Sequence, residues 1–168
     1  MRNIIGAIEQ EYRRYKELGE KSFEQLSGEQ LVHIPADSGN SIAIIVWHIS
    51  GNLKSRFTDF LATDGEKTWR DRESEFDARS VAHAGLLTKW DEGWSVLFTA
   101  LSELSDEMLD RNVSIRGERL TVIQALERSL AHTSYHVGQI VFLAKMMRAD
   151  GWQSLTIPRD ASRRTKAS

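Results

Sequence analysis

The chain has 168 residues, with 22 Lys and Arg against 24 Asp and Glu, five His, no Cys and two Pro. This length suits one domain with a real core, and 40% hydrophobic and 27% charged residues are typical of a folded globular protein. The absence of Cys excludes disulfides and thiolate metal ligands, and a net charge of -2 gives nucleic acid no electrostatic reason to bind. The longest uncharged apolar run, Ile42 to Ile49, is far shorter than the ~20 residues of a membrane span. No secretory signal follows Met1, so we expect a cytoplasmic protein that is not bound to a membrane.

The first predicted element is a helix over roughly residues 2–25, in which apolar residues recur every three or four positions. After it comes a segment of pattern L-S-x-E-x-L that contains Ser27 and that appears again from Leu104. We interpret the two copies either as capped helical turns or as the mark of two helix pairs related by a pseudo-twofold axis. The second long helix is predicted to begin after Ser41, a suitable N-cap, and to run to about residue 63.

A strongly charged stretch from Asp64 to Asp77 separates the two halves of the chain. Such a stretch cannot be core, and its length suits a crossover along the outside of a bundle. The crossover leaves the second and third long helices parallel, which predicts up-down-down-up topology. The third helix is predicted to begin after Ser80 as its N-cap.

The last third of the chain predicts a hairpin and a fourth helix. Residues 112–120 alternate apolar and polar side chains around Arg116 and Gly117, which predicts a short β-hairpin. Thr121, followed three residues later by Gln124, predicts a capping box at the start of the fourth helix. That helix is expected to end near Gly151, because glycine commonly follows the last helical turn.

These elements predict an all-α fold, a four-helix bundle with a long crossover between helices two and three. The bundle domain is expected to cover residues 1–157. The remaining residues, 158–168, are basic and carry few apolar side chains, so we predict a flexible tail.

Three of the five histidines form a candidate metal site. His132 and His136 lie about 40° apart on one face of the fourth helix, within its apolar stripe. Burying an imidazole without a partner costs of order 1–3 kcal/mol, and one divalent metal ion would satisfy both rings. His48, in the most apolar stretch of the second helix, is a candidate third ligand from a facing helix. Three neutral imidazoles leave coordination positions open, as catalytic sites do, whereas hydrogen-bonded core histidines are the alternative interpretation.

Three further polar residues are candidates for substrate contact or for support of the ligands. Asn52 and Arg56 continue the face of the second helix that carries His48, and Gln139 lies about 20° from His132 on the fourth. The alternative for Asn52 and Arg56 is interhelix hydrogen bonding, and for Gln139 it is a hydrogen bond to a buried carbonyl.

Other residues predict simpler roles. His33, in a loop, and His83, in the first turn of the third helix, are expected at the surface. Gly138 lies inside a helix at a cost of about 1 kcal/mol relative to Ala, which predicts close backbone packing or access at that point.

Motifs spread over nearly the whole chain resemble those of a known family. They are N-S-I-A-I-I-V-W-H-I-S-G-N from Asn40, D-G-E-K from Asp64, W-R-x-R from Trp69, E-F at Glu75, W-x-x-G-W from Trp90, I-R-G-E from Ile115 and A-H-x-x-Y-H-V-G-Q-I from Ala131. With them the chain resembles a branch of the DinB-like superfamily of metal-binding four-helix bundles, a branch with no settled activity.

The resemblance implies an up-down-down-up bundle, usually a homodimer. It also implies a divalent metal ion held by one histidine of the second helix and an H-x-x-x-H pair of the fourth, positions that are His48, His132 and His136 here. Better-known relatives are thiol-S-transferases that use bacillithiol and a mycothiol-dependent maleylpyruvate isomerase.

Our leading hypothesis is a metal-dependent transferase that adds a low-molecular-weight thiol to an electrophile. One divalent ion (Zn, Ni, Fe or Mn) in the three-histidine site would favour the nucleophilic thiolate. The same ion could activate water, so a metal-dependent hydrolase is an alternative. A non-enzymatic metal- or ligand-binding module, for example a stress-related one, is another. No residue stands out as a general acid or base, so the sequence leaves open whether the protein is an enzyme.

Overall fold

The structure, a computed structural model, describes residues 1–35 and 39–157. Its helices are α1 (Asn3–Phe23), α2 (Gly28–Val32), α3 (Ile42–Phe57), α4 (His83–Ser102) and α5 (Val122–Arg148). Strands β1 (Asn112–Ile115) and β2 (Glu118–Thr121) pair antiparallel, and single 3-10 turns occupy Glu73–Phe76, Asp106–Met108 and Ala149–Gly151. The predicted all-α fold is confirmed, and the four bundle helices are α1, α3, α4 and α5.

Helices α3 and α4 run parallel and approach closely. The Trp47 ring lies 5.7 Å from Lys89 Nζ, and one turn further along both helices Gly93 lies against Ser50. A Cβ atom on Gly93 would come within 2.6 Å of Ser50 Cα, so this approach requires glycine.

The other helix pairs complete the bundle around an aromatic centre. Tyr12 packs edge-on against Trp94 at 6.3 Å between ring centroids, and Phe23 against Trp90 at 5.3 Å, so α1 is antiparallel to α4. All four rings are fully buried. Helix α5 is antiparallel to α3, which confirms the predicted up-down-down-up topology.

The connection between α3 and α4, residues 58–82, holds the hairpin against the bundle. Asp64 accepts backbone hydrogen bonds from Arg116 (2.8 Å) and Gly117 (2.9 Å), and also one from the Ser114 hydroxyl. Arg116 and Gly117, the two central residues of the hairpin turn, have positive φ angles of 56° and 75°. The predicted hairpin is confirmed, and the predicted crossover supplies the carboxylate that anchors it.

Two helix boundaries differ from the prediction. Helix α3 ends at Phe57 rather than near residue 63, because Thr58 is extended and Asp59 adopts a left-handed φ of 49°. Phe60 is buried in the turn that follows α3, so the apolar residues keep a helical spacing in the sequence beyond the end of the helix. Helix α4 begins at His83 with Ala82 at its N-cap, so Ser80 is not the cap.

Both N-terminal capping boxes are present, but the two copies of the repeated segment differ in structure. The predicted box of Thr121 and Gln124 is present at the start of α5, and Ser27 forms another at α2. In the second copy of the repeated segment, Ser105 makes no cap hydrogen bond, and Asp106 accepts hydrogen bonds from the first backbone N–H groups of α1 instead. The first copy therefore caps the helix that follows it, whereas the second caps the start of α1.

The remaining predictions concern the surface and the tail. His33 is exposed as predicted, but His83 is half-buried, with its ring Nε2 3.2 Å from the Phe23 carbonyl oxygen. Gly138 is exposed, and a Cβ atom there would meet no other atom within 4 Å, so it does not pack closely within the described chain. The predicted tail over 158–168 lies outside the described residues. Within the described residues, none of the helices has the length and apolar character to cross a membrane.

Candidate metal centre

Three imidazoles meet between α3 and α5. His48 is buried near the middle of α3, and the antiparallel α5 presents His132 and His136 on consecutive turns of its facing side. His48 Nε2 lies 3.2 Å from His132 Nε2, and the ring of His136 is centred 4.8 Å from that of His48. One nitrogen from each ring lies within 4.8 Å of the others. The structure thus brings together the three histidines that the sequence predicted.

The donor set fits a divalent metal ion. At the usual metal–nitrogen distance of about 2.0–2.1 Å, two ligands of a tetrahedral site lie about 3.3 Å apart, close to the observed separation of His48 and His132. The outward nitrogens of two rings are hydrogen-bonded, His48 Nδ1 to Glu75 Oε2 and His136 Nδ1 to Gln139 Oε1, both at 2.9 Å. Because both acceptors are oxygens, Nδ1 carries the proton and Nε2 is free to bind a metal ion.

Glu75 is a component of the site that the sequence analysis placed on the outside of the bundle. Its carboxylate is buried, and it accepts a hydrogen bond from His48 and two from Arg70, at 2.7 and 2.9 Å. The Arg70 side chain is 2% exposed, so this charged part of the crossover does lie in the interior. Gly51 makes room for it, because a Cβ atom there would clash with the Glu75 carboxylate. The E-F and W-R-x-R motifs were the sequence signal for this pair.

Burial and the neighbouring imidazoles favour the neutral forms of His132 and His136. Burial lowers the pKa of His132 to about 3, and the adjacent rings of His136 and His48 act in the same direction. Burial also lowers the pKa of His136, although its hydrogen bond to Gln139 opposes the shift. Burial raises the pKa of Glu75, but hydrogen bonds from His48 and Arg70 outweigh it, so this carboxyl stays ionised. Neutral imidazole is the form that ligates metals.

A cavity of about 210 Å³ opens directly beside His48 and His132. The predicted residues Asn52 and Arg56 line it. Arg56 also donates hydrogen bonds to the Gly65 carbonyl and, at 3.2 Å, to Glu66. Gln139 does not line this cavity, and its observed contact is with His136 instead.

The chain is thus a four-helix bundle whose three clustered histidines could hold a metal ion. A family model described as "Protein of unknown function (DUF1572)" matches residues 1–161, and the chain belongs to this family. It is similar in structure to a DinB-like protein from Bacillus cereus ATCC 10987, with a TM-score of 0.68 and 19% identity over 94% of this chain and 100% of that one. The DinB-like fold expected from the sequence motifs is confirmed. No curated protein matches the chain.

Proposed function

We propose that the chain binds one divalent metal ion through His48, His132 and His136 and that it transfers a low-molecular-weight thiol to an electrophile. The observation that carries the proposal is the convergence of three imidazoles on one point beside a cavity. These imidazoles form the complete ligand set that the DinB-like resemblance implies. Three protein ligands are typical of catalytic metal sites, which keep a position for substrate.

The metal ion, when bound, supplies a Lewis acid that favours the thiolate form of a thiol at neutral pH. The chain's own residues hold the ligands in position. Glu75 keeps the proton of His48 on Nδ1, and Gln139 does the same for His136, so both rings present Nε2 to the centre. Three imidazoles accept Zn, Ni, Fe or Mn, and the choice among these metals depends partly on their availability.

The cavity beside the cluster gives substrate a place to bind. Asn52 and Arg56 lie on its wall, on the same face of α3 as His48. We assign these two side chains to substrate contact. We assign Gln139 to orienting His136 rather than to substrate.

Cobalt substitution tests the thiol. In the cobalt-loaded protein, titration with 2-mercaptoethanol and with cysteine is expected to produce a new sulfur-to-cobalt charge-transfer absorption band. A His136→Ala variant is expected to lose the band, while His33→Ala, which removes an exposed imidazole outside the cluster, keeps it. If cobalt binds but no thiol produces a band, the transferase proposal is wrong and a non-enzymatic metal-binding module becomes the better account.

We also propose that the chain forms the homodimer implied by the resemblance, through the outer face of α5. Tyr135, Phe142 and Met146 are each more than half exposed on this face, although they are large and apolar. Gly138 lies between Tyr135 and Phe142, Ala131 lies one turn before Tyr135, and both small, exposed residues leave room for a second helix. Sedimentation equilibrium is expected to give a dimer for the parent and a monomer for Phe142→Glu; a monomeric parent would contradict the proposal.

A further inference from the structure

Among the described residues, the cavity beside the histidine cluster is lined by five arginines and by no carboxylate. They come from four separate parts of the chain: α3, the crossover, the hairpin and α5. The five are Arg56, Arg70, Arg72, Arg116 and Arg128. Guanidinium groups are the side chains best suited to bind oxyanions, because their planar forks match carboxylate and phosphate geometry.

Nearby carboxylates balance these charges only in part. Glu66 is shared, because it accepts hydrogen bonds from both Arg56 and Arg116. Arg72 and Arg128 pair with Glu73 and Glu118, but all four side chains are exposed. Exposed ion pairs of this kind contribute little to stability, so Arg72 and Arg128 can exchange these partners for a ligand at a small cost in free energy.

The positive charges of two arginines, Arg70 and Arg56, are incompletely balanced by their neighbours. Arg70 donates hydrogen bonds from Nε and Nη2 to Glu75, and its buried Nη1 has no hydrogen-bond partner among the described residues. Burial lowers the pKa of Arg56, and the charges of Arg70 and Arg116 act in the same direction, against the opposing effect of Glu66. A bound anion would relieve both features.

We propose that this cavity takes a small molecule carrying at least two negative charges on carboxylate or phosphate oxygens. The inference names the substrate class of the candidate metal site, and to that extent it rests on the proposed function. A volume of about 210 Å³ holds several water molecules, at about 30 Å³ each, which matches the size of a small metabolite. The ligand would lie between the exposed arginines of the cavity and His132, which belongs to the histidine cluster.

Isothermal titration calorimetry tests the proposal on the protein as purified and again after treatment with a chelator. The probes are inorganic phosphate and succinate, with acetate as the singly charged comparison. At least one dianion is expected to bind ten or more times more tightly than acetate and to weaken as salt concentration rises. Binding of phosphate identifies a phosphorylated ligand, and binding of succinate identifies a polycarboxylate. Equal affinity for all three anions, or none for any, would overturn the proposal.

A matched pair of double variants locates the binding. Arg72→Gln/Arg128→Gln removes two of the three exposed arginines of the cavity and is expected to weaken binding of the dianion at least tenfold with metal content unchanged. Arg111→Gln/Arg119→Gln removes the same charge from positions that do not line the cavity and is expected to bind like the parent. Equal weakening in both would mean a general charge effect and would overturn the proposal.

The two proposals fail separately. Dianion binding that follows this variant pattern in a protein that takes up no metal, even after reloading with Zn, Ni and Mn, would support the anion cavity and refute the metal-dependent function. A metal-loaded protein that binds neither dianion would refute the anion cavity and leave the proposed metal site standing.

Discussion

Glu75 connects the crossover to the candidate metal centre. Its buried carboxylate accepts hydrogen bonds from both His48 and Arg70, in a space that exists because residue 51 is glycine. Removing one partner from such a buried charged network leaves the other charge unpaired, which typically costs about 3–5 kcal/mol. The conservative change to glutamine keeps the shape and isolates the effect of the charge.

Glu75→Gln is expected to lower metal affinity about 10–100-fold, because a neutral amide holds the Nδ1 proton of His48 less firmly. The measurement is competition against a chromophoric chelator. Glu73→Gln, in the same 3-10 turn but with its side chain 87% exposed, is the control and should match the parent. Equal affinity in all three proteins would contradict a positioning role for Glu75.

At the scale of elements, Asp64 attaches the hairpin to the bundle. It accepts hydrogen bonds from Ser114, Arg116 and Gly117, and from the backbone N–H of Glu66 at 2.7 Å. These bonds, that of Ser114 foremost, hold the pKa of Asp64 well below its ordinary value. The hairpin in turn contributes Ile115 and Arg116 to the cavity wall, so its attachment shapes the site.

Asp64→Asn is expected to lower the free energy of unfolding by about 1–2 kcal/mol at neutral pH, since it loses charge-assisted hydrogen bonds. Because the folded-state pKa is lowered, the contribution of Asp64 is present above the ordinary pKa of 3.8 and is lost as the pH falls below it. Urea unfolding at pH 7 and pH 3 measures both effects, and the gap from the parent should narrow at pH 3.

Asp59→Asn is the control for this substitution. Asp59 is exposed, makes no side-chain hydrogen bond to the described residues, and has a left-handed backbone that asparagine tolerates. It should unfold like the parent at both pH values. A loss equal to that of Asp64→Asn would show that the effect is one of general charge.

The elements that the sequence predicted well are those specified by neighbouring residues. The capping box at Thr121 and the hairpin around Gly117 depend on side chains within a few positions, and both are present. The end of α3 was placed too late because buried Phe60 continues a helical spacing in a turn. The burial of Glu75 could not be derived from periodicity, because it depends on Gly51 and Arg70, which the fold brings to it from other segments.

At the scale of the whole molecule, the topology assembles the site. The long crossover makes α3 and α4 parallel and leaves α3 antiparallel to α5, so His48 faces the histidine pair of α5. The three histidines were predictable because each lies on the apolar face of a predicted helix. The five-arginine cavity was not, since only Arg56 lies on a helix face that the sequence analysis had connected to the site.

The central claim is that the three histidines hold a metal ion, and elemental analysis of the untagged protein tests it most directly. We expect near-stoichiometric divalent metal in the parent and in His33→Ala, and none in a His132→Ala/His136→Ala variant that keeps its helical circular dichroism. Equal occupancy in all three proteins would contradict the assignment of the ligands. No metal in the parent, even after reloading with Zn, Ni and Mn, would contradict the claim itself.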